Sequence, residues 1–155
     1  MRVKVRAVIV QDGKLVVSRE RRRGVEHVLL PGGRVQAREA ITEALVREVA
    51  EETGLDVIPE RLLYVAEVVG SYGVHDLNLI WLAEPRDAQL ADPSVLVALH
   101  SPEAASMMPP IIDEIVADAA SGWGNEPRWL GNVRRAPVDP LPTAGPLAEP
   151  GSDRQ

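Results

Sequence analysis

Three glutamates, Glu48, Glu51 and Glu52, stand at spacing i, i+3, i+4 within Gly32 to Leu55, GGRVQAREAITEALVREVAEETGL. On a helix, that spacing gathers three carboxylates on one face, with neighbouring side chains about 5–6 Å apart. Local physics opposes the gathering. Glu48 and Glu52 repel each other by about 0.2–0.5 kcal/mol, and all three lie toward the helix C-terminus, where the macrodipole favours Lys or Arg over Glu. Arg47 can pair with Glu43 and Glu51, but each exposed pair contributes only about 0.3–0.5 kcal/mol. A hard divalent cation reverses the balance, because Mg²⁺ prefers carboxylate and phosphate oxygens at about 2.0–2.1 Å and keeps several waters. The acidic face then reads as a metal seat; the plain alternative is a solvated helix with surplus Glu.

Positioning those carboxylates requires a stable helix and a close approach at its N-terminal side. Glu39 to Thr53 are mostly good helix formers, and Gly54 sits where a left-handed cap ends a helix. This makes about four turns, roughly 22 Å long. Ile41, Leu45 and Val49, with Ala40 and Ala44 beside them, give it a stripe to bury. Upstream, Val25 to Leu30 reads as a short strand ended by Pro31-Gly32-Gly33, where paired glycines let the backbone approach a ligand.

Gly33, then five residues to Glu39, then seven to Arg47-Glu48-Val49-Ala50-Glu51-Glu52-Thr53-Gly54-Leu55, fits the pattern G-x5-E-x7-R-E-(apolar)-x-E-E-x-G-(apolar) at every fixed position. This resembles the signature box of the Nudix hydrolases, enzymes that cleave a nucleoside diphosphate linked to another group. The resemblance implies an α/β/α sandwich, a mixed sheet flanked by helices, with the box forming a loop, helix and loop. It implies Mg²⁺ or Mn²⁺ as cofactor, Glu48 and Glu52 as principal metal ligands, and Glu51 serving a second ion or water activation. Arg47 would orient the carboxylates, and Glu39, favourably placed for the helix dipole, would brace Arg47 or the loop. The carbonyl of Gly32 is a further expected ligand. Relatives take the general base from the box helix or a later loop, which leaves Glu51, Asp76, Glu84 and Glu103, with Glu51 preferred. Gln36 and Arg38 stand where the commoner family sequence has Glu and Gly.

Along the rest of the chain, Arg2 to Val10 and Leu15 to Ser18 flank an Asp-Gly turn at Asp12-Gly13, a hairpin signal. Arg19 to Gly24 reads as a basic, flexible loop, either merely solvated or reaching substrate phosphates through Arg19. After an interruption at Pro59, Leu62 to Val69 and Leu77 to Ala83 read as strands, the second apolar enough to be central, with Trp81 in the core. In the loop between them, Tyr72 could stack on a base and His75 or Asp76 could touch substrate, although such residues are common in turns without chemistry. Glu84 to Pro93 reads as a loop. Pro109-Pro110 opens a second helix with Ile111, Ile112, Ile115, Val116 and Ala119 as its stripe and Asp113, Glu114 and Asp118 as a solvated face. Trp129 to Asn132 is expected to pack back on the domain.

Composition bounds the partners. Net charge −6 disfavours a sequence-independent grip on a nucleic-acid polymer. Cys is absent, which excludes disulfides and thiolate metal sites. No apolar run is long enough for a membrane span and no signal peptide is visible, so the expected compartment is the cytoplasm. The organisation expected is one domain over 1–135 and a disordered Pro-rich tail over 136–155, with a small nucleotide as partner and room for a homodimer. The expected reaction cleaves a nucleoside diphosphate derivative of the nucleotide-sugar or ADP-ribose type; the alternatives are a nucleoside triphosphate pyrophosphohydrolase and a non-catalytic ligand-binding regulator.

Overall fold

Alternation of Val with Arg and Lys at the N-terminus makes a strand with two unlike faces, and the whole fold is built around it. The computed structural model describes residues 1–70 and 73–133; Tyr72 and the expected tail lie outside them. β1 (Arg2–Val8) pairs in parallel with β8 (His75–Pro85) on one side and antiparallel with the short β6 (Gly32–Arg34) on the other. β7 (Val57–Val69) pairs antiparallel with β8, and β10 (Arg128–Asn132) joins β7 in parallel. The sheet order is β10-β7-β8-β1-β6, so the apolar β8 is central as expected.

Each face is covered by a helix. Val5, Ala7 and Ile9 pack with Ala44, Leu45 and Val49 of α1 (Ile41–Thr53), while Val8, Leu63, Tyr64 and Ile80 pack with Ile111 and Ile115 at α3 (Ile112–Ser121). This is a mixed sheet between helices, the α/β/α arrangement. Period-two alternation puts Lys4 and Arg6 on the face of Val8, opposite α1.

Smaller elements surround this frame. The Asp-Gly turn joins β2 (Val10–Gln11) to β3 (Lys14–Val16), which also pairs with β9 (Leu96–Ala98). A short α2 (Pro102–Ala105), capped by the Ser101 hydroxyl, follows β9.

Several boundaries correct the sequence reading. Arg19 to Gly24 is not a loop: β4 (Ser18–Arg22) and β5 (Val25–Leu29) form a hairpin turning at Arg23-Gly24, where both residues have positive φ. Pro59 lies inside β7, next to a bulge where the register with β8 shifts between Pro59 and Arg61. α1 starts at Ile41, after Glu39, whose carboxylate accepts from the Gln36 N–H of the preceding turn and from Arg47 of the helix. Asp118 is not a free surface acid, since it accepts hydrogen bonds from the Tyr64 hydroxyl and from Arg128 at 2.6 Å, tying α3 to β7 and β10. Trp81 is half-buried against the core of the α1 face.

Candidate active site

Glycine at Gly32 and Gly33 lets α1 come within reach of the sheet edge. A Cβ on Gly32, whose φ is +148°, would stand 2.0 Å from the Val5 carbonyl oxygen. A Cβ on Gly33 would stand 2.4 Å from Cδ of Glu48. Bare backbone therefore forms the seam between β1 and α1, and the carboxylates of the helix pass across it.

Local hydrogen bonds set each box residue. The Gly54 N–H closes α1 onto Ala50 in the left-handed conformation expected of it. Arg47 grips Glu39 with two donors, Nε at 2.6 Å and Nη2 at 3.0 Å, and reaches Glu48 with Nη1 at 3.0 Å. Its contacts with Glu51 are long, 3.4 and 3.5 Å. Glu39 also accepts from the Gln36 N–H, and Arg47 first, then that N–H, hold its carboxyl down to about 2. Glu39 thus joins the turn at Gln36 to Arg47, and Arg47 in turn contacts Glu48.

Glu52 accepts a hydrogen bond from the Gly32 N–H at 2.9 Å. Desolvation by the surrounding protein raises its pKa, opposed by that N–H and by the charge of Arg6. The other end of Gly32 is held as well: Arg6 Nη1 donates to the Gly32 carbonyl at 3.1 Å and to the Leu30 carbonyl at 2.9 Å.

Around these groups opens a cleft of about 430 Å³. Glu48 and Glu52 line it with Gly32 and Gly33; Lys4 and Arg6 come from β1, Ser18, Arg19, Glu20 and Arg22 from β4, and Arg34 from β6. One wall is thus acidic and the rest is mainly basic. Of the expected residues, Glu48, Glu52, Gly32 and Arg19 meet here. Glu51 does not line the cleft, and 57% of its side chain is exposed.

The remaining candidates sit elsewhere. Asp76 is buried in β8 beside β1, paired with Arg2 at 2.6 Å and Lys4 at 3.0 Å. Burial alone would raise its pKa, but those two donors outweigh it and hold the carboxyl below the usual range. His75 bonds Glu67 at 2.9 Å, Glu103 pairs with Arg19 at 2.5 Å, and Glu84 neighbours Glu60, whose carboxyl is pushed up by burial first and by that neighbour second. Sequence reasoning missed Lys4, Arg6 and Glu20 as cleft residues, whereas Arg34 stands in the loop whose arginines were expected beside the metal seat. The alternation Arg2-Val3-Lys4-Val5-Arg6 was the available signal, since it puts three cations on one strand face.

The donor set suits a hard cation. Among the described residues no three His, Asp or Glu side chains form a group that would hold a metal by themselves. Two carboxylates and a carbonyl at a cleft are what Mg²⁺ takes when it keeps waters and completes its shell with substrate phosphate oxygens. The close approach of Glu48 to the bare Gly33 backbone and the raised pKa of Glu52 fit a place where cationic charge is wanted.

Comparison with known proteins places this arrangement. A human protein, 8-oxo-dGDP phosphatase NUDT18, is 40% identical over 75 residues, 48% of this chain; the chain spans 22% of that protein's length. The NUDIX hydrolase from Nitrosomonas europaea superposes with a TM-score of 0.65 at 26% identity, over 79% of this chain and 90% of that one. The E. coli ORF135 protein gives a TM-score of 0.58 at 23% identity, over 79% and 93%. The family model for the NUDIX domain matches residues 1–118, from β1 into α3 and across the whole cleft, and the chain belongs to the Nudix hydrolase family.

Proposed function

We propose that this chain is a Mg²⁺- or Mn²⁺-dependent pyrophosphohydrolase that cleaves the diphosphate linkage of a nucleoside diphosphate derivative, releasing NMP and a phosphorylated product. The observation that carries the proposal is the single cleft in which Glu48 and Glu52 face Lys4, Arg6, Arg19, Arg22 and Arg34. An acidic wall alone would repel a diphosphate, and a basic wall alone would bind it without chemistry. The two together suit a cation–diphosphate pair.

Glu48 and Glu52 would hold the cation, with the Gly32 carbonyl beside them. A cation bound there supplies charge neutralisation on the phosphoryl oxygens and a more acidic water. Arg47, gripped by Glu39, orients Glu48, and the cationic walls orient the phosphate chain. For proton removal from the attacking water, Glu51 is the proposed base; it does not line the cleft here and would turn in from the exposed side of α1 to reach that water. Its long contacts with Arg47 leave it the freest of the candidates, whereas Asp76, Glu103 and Glu84 each have a close partner.

A diphosphate substrate has one further support. The relative sharing 40% identity over 75 residues is named as a phosphatase of 8-oxo-dGDP, a nucleoside diphosphate. The test is a panel of nucleoside diphosphates, nucleotide sugars, ADP-ribose and triphosphates incubated with Mg²⁺ or Mn²⁺, with products separated chromatographically. NMP with a phosphorylated partner is expected. NMP with pyrophosphate would reassign the substrate to triphosphates, and no product across the panel would favour a non-catalytic binding protein.

A further inference from the structure

Among the described cations lining the cleft, Arg6 alone is buried, with 7% of its surface exposed. Nη1 holds the Leu30 and Gly32 carbonyls, but Nε is buried with no partner. Burying a guanidinium carries a desolvation cost that two neutral acceptors only partly offset. Burial lowers its pKa, and the charges that oppose this are Glu52 first and Glu48 second. An arginine nevertheless stays protonated. Gly32 links the two sides directly, through its N–H to Glu52 and its carbonyl to Arg6.

We propose that Arg6 is a positioning residue that serves as a resident counter-charge, holding the Gly32 carbonyl and the Glu48–Glu52 wall when no cation is bound and weakening the uptake of a divalent cation. The inference rests on the metal reading of the cleft. A cation entering there would take the carbonyl oxygen that Arg6 holds at 3.1 Å, on the residue whose N–H anchors Glu52, and the two positive charges repel. A diphosphate brings enough negative charge to hold both, so cation and nucleotide load together rather than the cation alone.

The experiment is calorimetric titration of Mn²⁺ into the full-length, metal-stripped protein without nucleotide, for wild type, Arg6→Gln and Arg6→Lys. Gln keeps an N–H donor for the carbonyl and drops the charge; Lys keeps the charge and drops the fork. Arg6→Gln should bind Mn²⁺ about tenfold tighter than wild type, and Arg6→Lys should stay within about threefold of it. The rise in melting temperature on adding Mn²⁺ should be larger for Arg6→Gln. If Arg6→Gln is too unstable to titrate, Arg6→Met makes the same comparison, since an apolar chain suits the buried position. Equal or weaker Mn²⁺ binding by the uncharged variants would overturn the inference. Absence of Mn²⁺ uptake by wild type, with or without a non-cleavable nucleotide, would instead remove the metal reading beneath it.

Discussion

Arg47 decides which box glutamate can move. Two short bonds lock it to Glu39 and one to Glu48, while Glu51 hangs on contacts of 3.4 and 3.5 Å. Arg47→Lys replaces a planar fork by a single ammonium, so kcat should fall about 10- to 100-fold while the melting temperature moves little. Unchanged kcat would mean that Glu48 needs no orientation. For Glu52→Gln the expectation is loss of most turnover with melting within a few degrees of wild type, checked by kinetics beside calorimetry; turnover equal to the parent would remove Glu52 from the ligands. Asp76 gives the pH case. Its depressed carboxyl contributes stability above the unfolded value of about 3.9, and that stability is lost as pH falls through the lower folded value. Asp76→Asn should cost about 1–3 kcal/mol at pH 7, and urea midpoints should show the gap to wild type closing in acid. The box acids were legible because their identities and spacing are local. Asp76 was not, because nothing in Gly73-Val74-His75-Asp76 announces that Arg2 and Lys4, more than seventy residues away, pair with it.

At the scale of elements, the box helix could be read from its apolar stripe and its capping glycine, and the sheet-edge glycines from their pairing. What those glycines avoid differs, and the difference is measurable. In Gly33→Ala the new methyl meets the flexible end of Glu48, which can swing aside. The variant should fold, with cation affinity or turnover down at least about tenfold. In Gly32→Ala it meets the fixed Val5 carbonyl at a φ of +148°, and the loss should be about 3 kcal/mol or more, seen in denaturant midpoints. The β4–β5 hairpin escaped the sequence reading for a reason of composition. Arg-Glu-Arg-Arg-Arg has no apolar alternation, and its order comes instead from backbone pairing with β5 and from Arg19 bridging Glu26, Glu103 and the Ser94 carbonyl.

For the molecule as a whole, stability rests on two aliphatic layers, one under each helix, as a chain lacking Phe had to arrange. Leu45→Ala should cost about 2–5 kcal/mol through the cavity left under α1. Because α1 carries Glu48 and Glu52, turnover should fall in the same variant even well below its melting temperature; full activity there would show that the sheet edge alone sets the cleft. The order of strands was legible only in part. The central place of β8 followed from its apolar run, whereas β6 beside β1 is a pairing between residues about thirty apart that no local pattern encodes.

The β4–β5 hairpin makes a two-stranded sheet of its own, without ladder bonds to the central five strands. Residues Arg19, Glu20 and Arg22 therefore reach the cleft from a part whose length and charge can change without disturbing the register of β1, β7 or β8. Preference for one leaving group over another can drift in such an appendage while the carboxylate seat beneath it stays as it is.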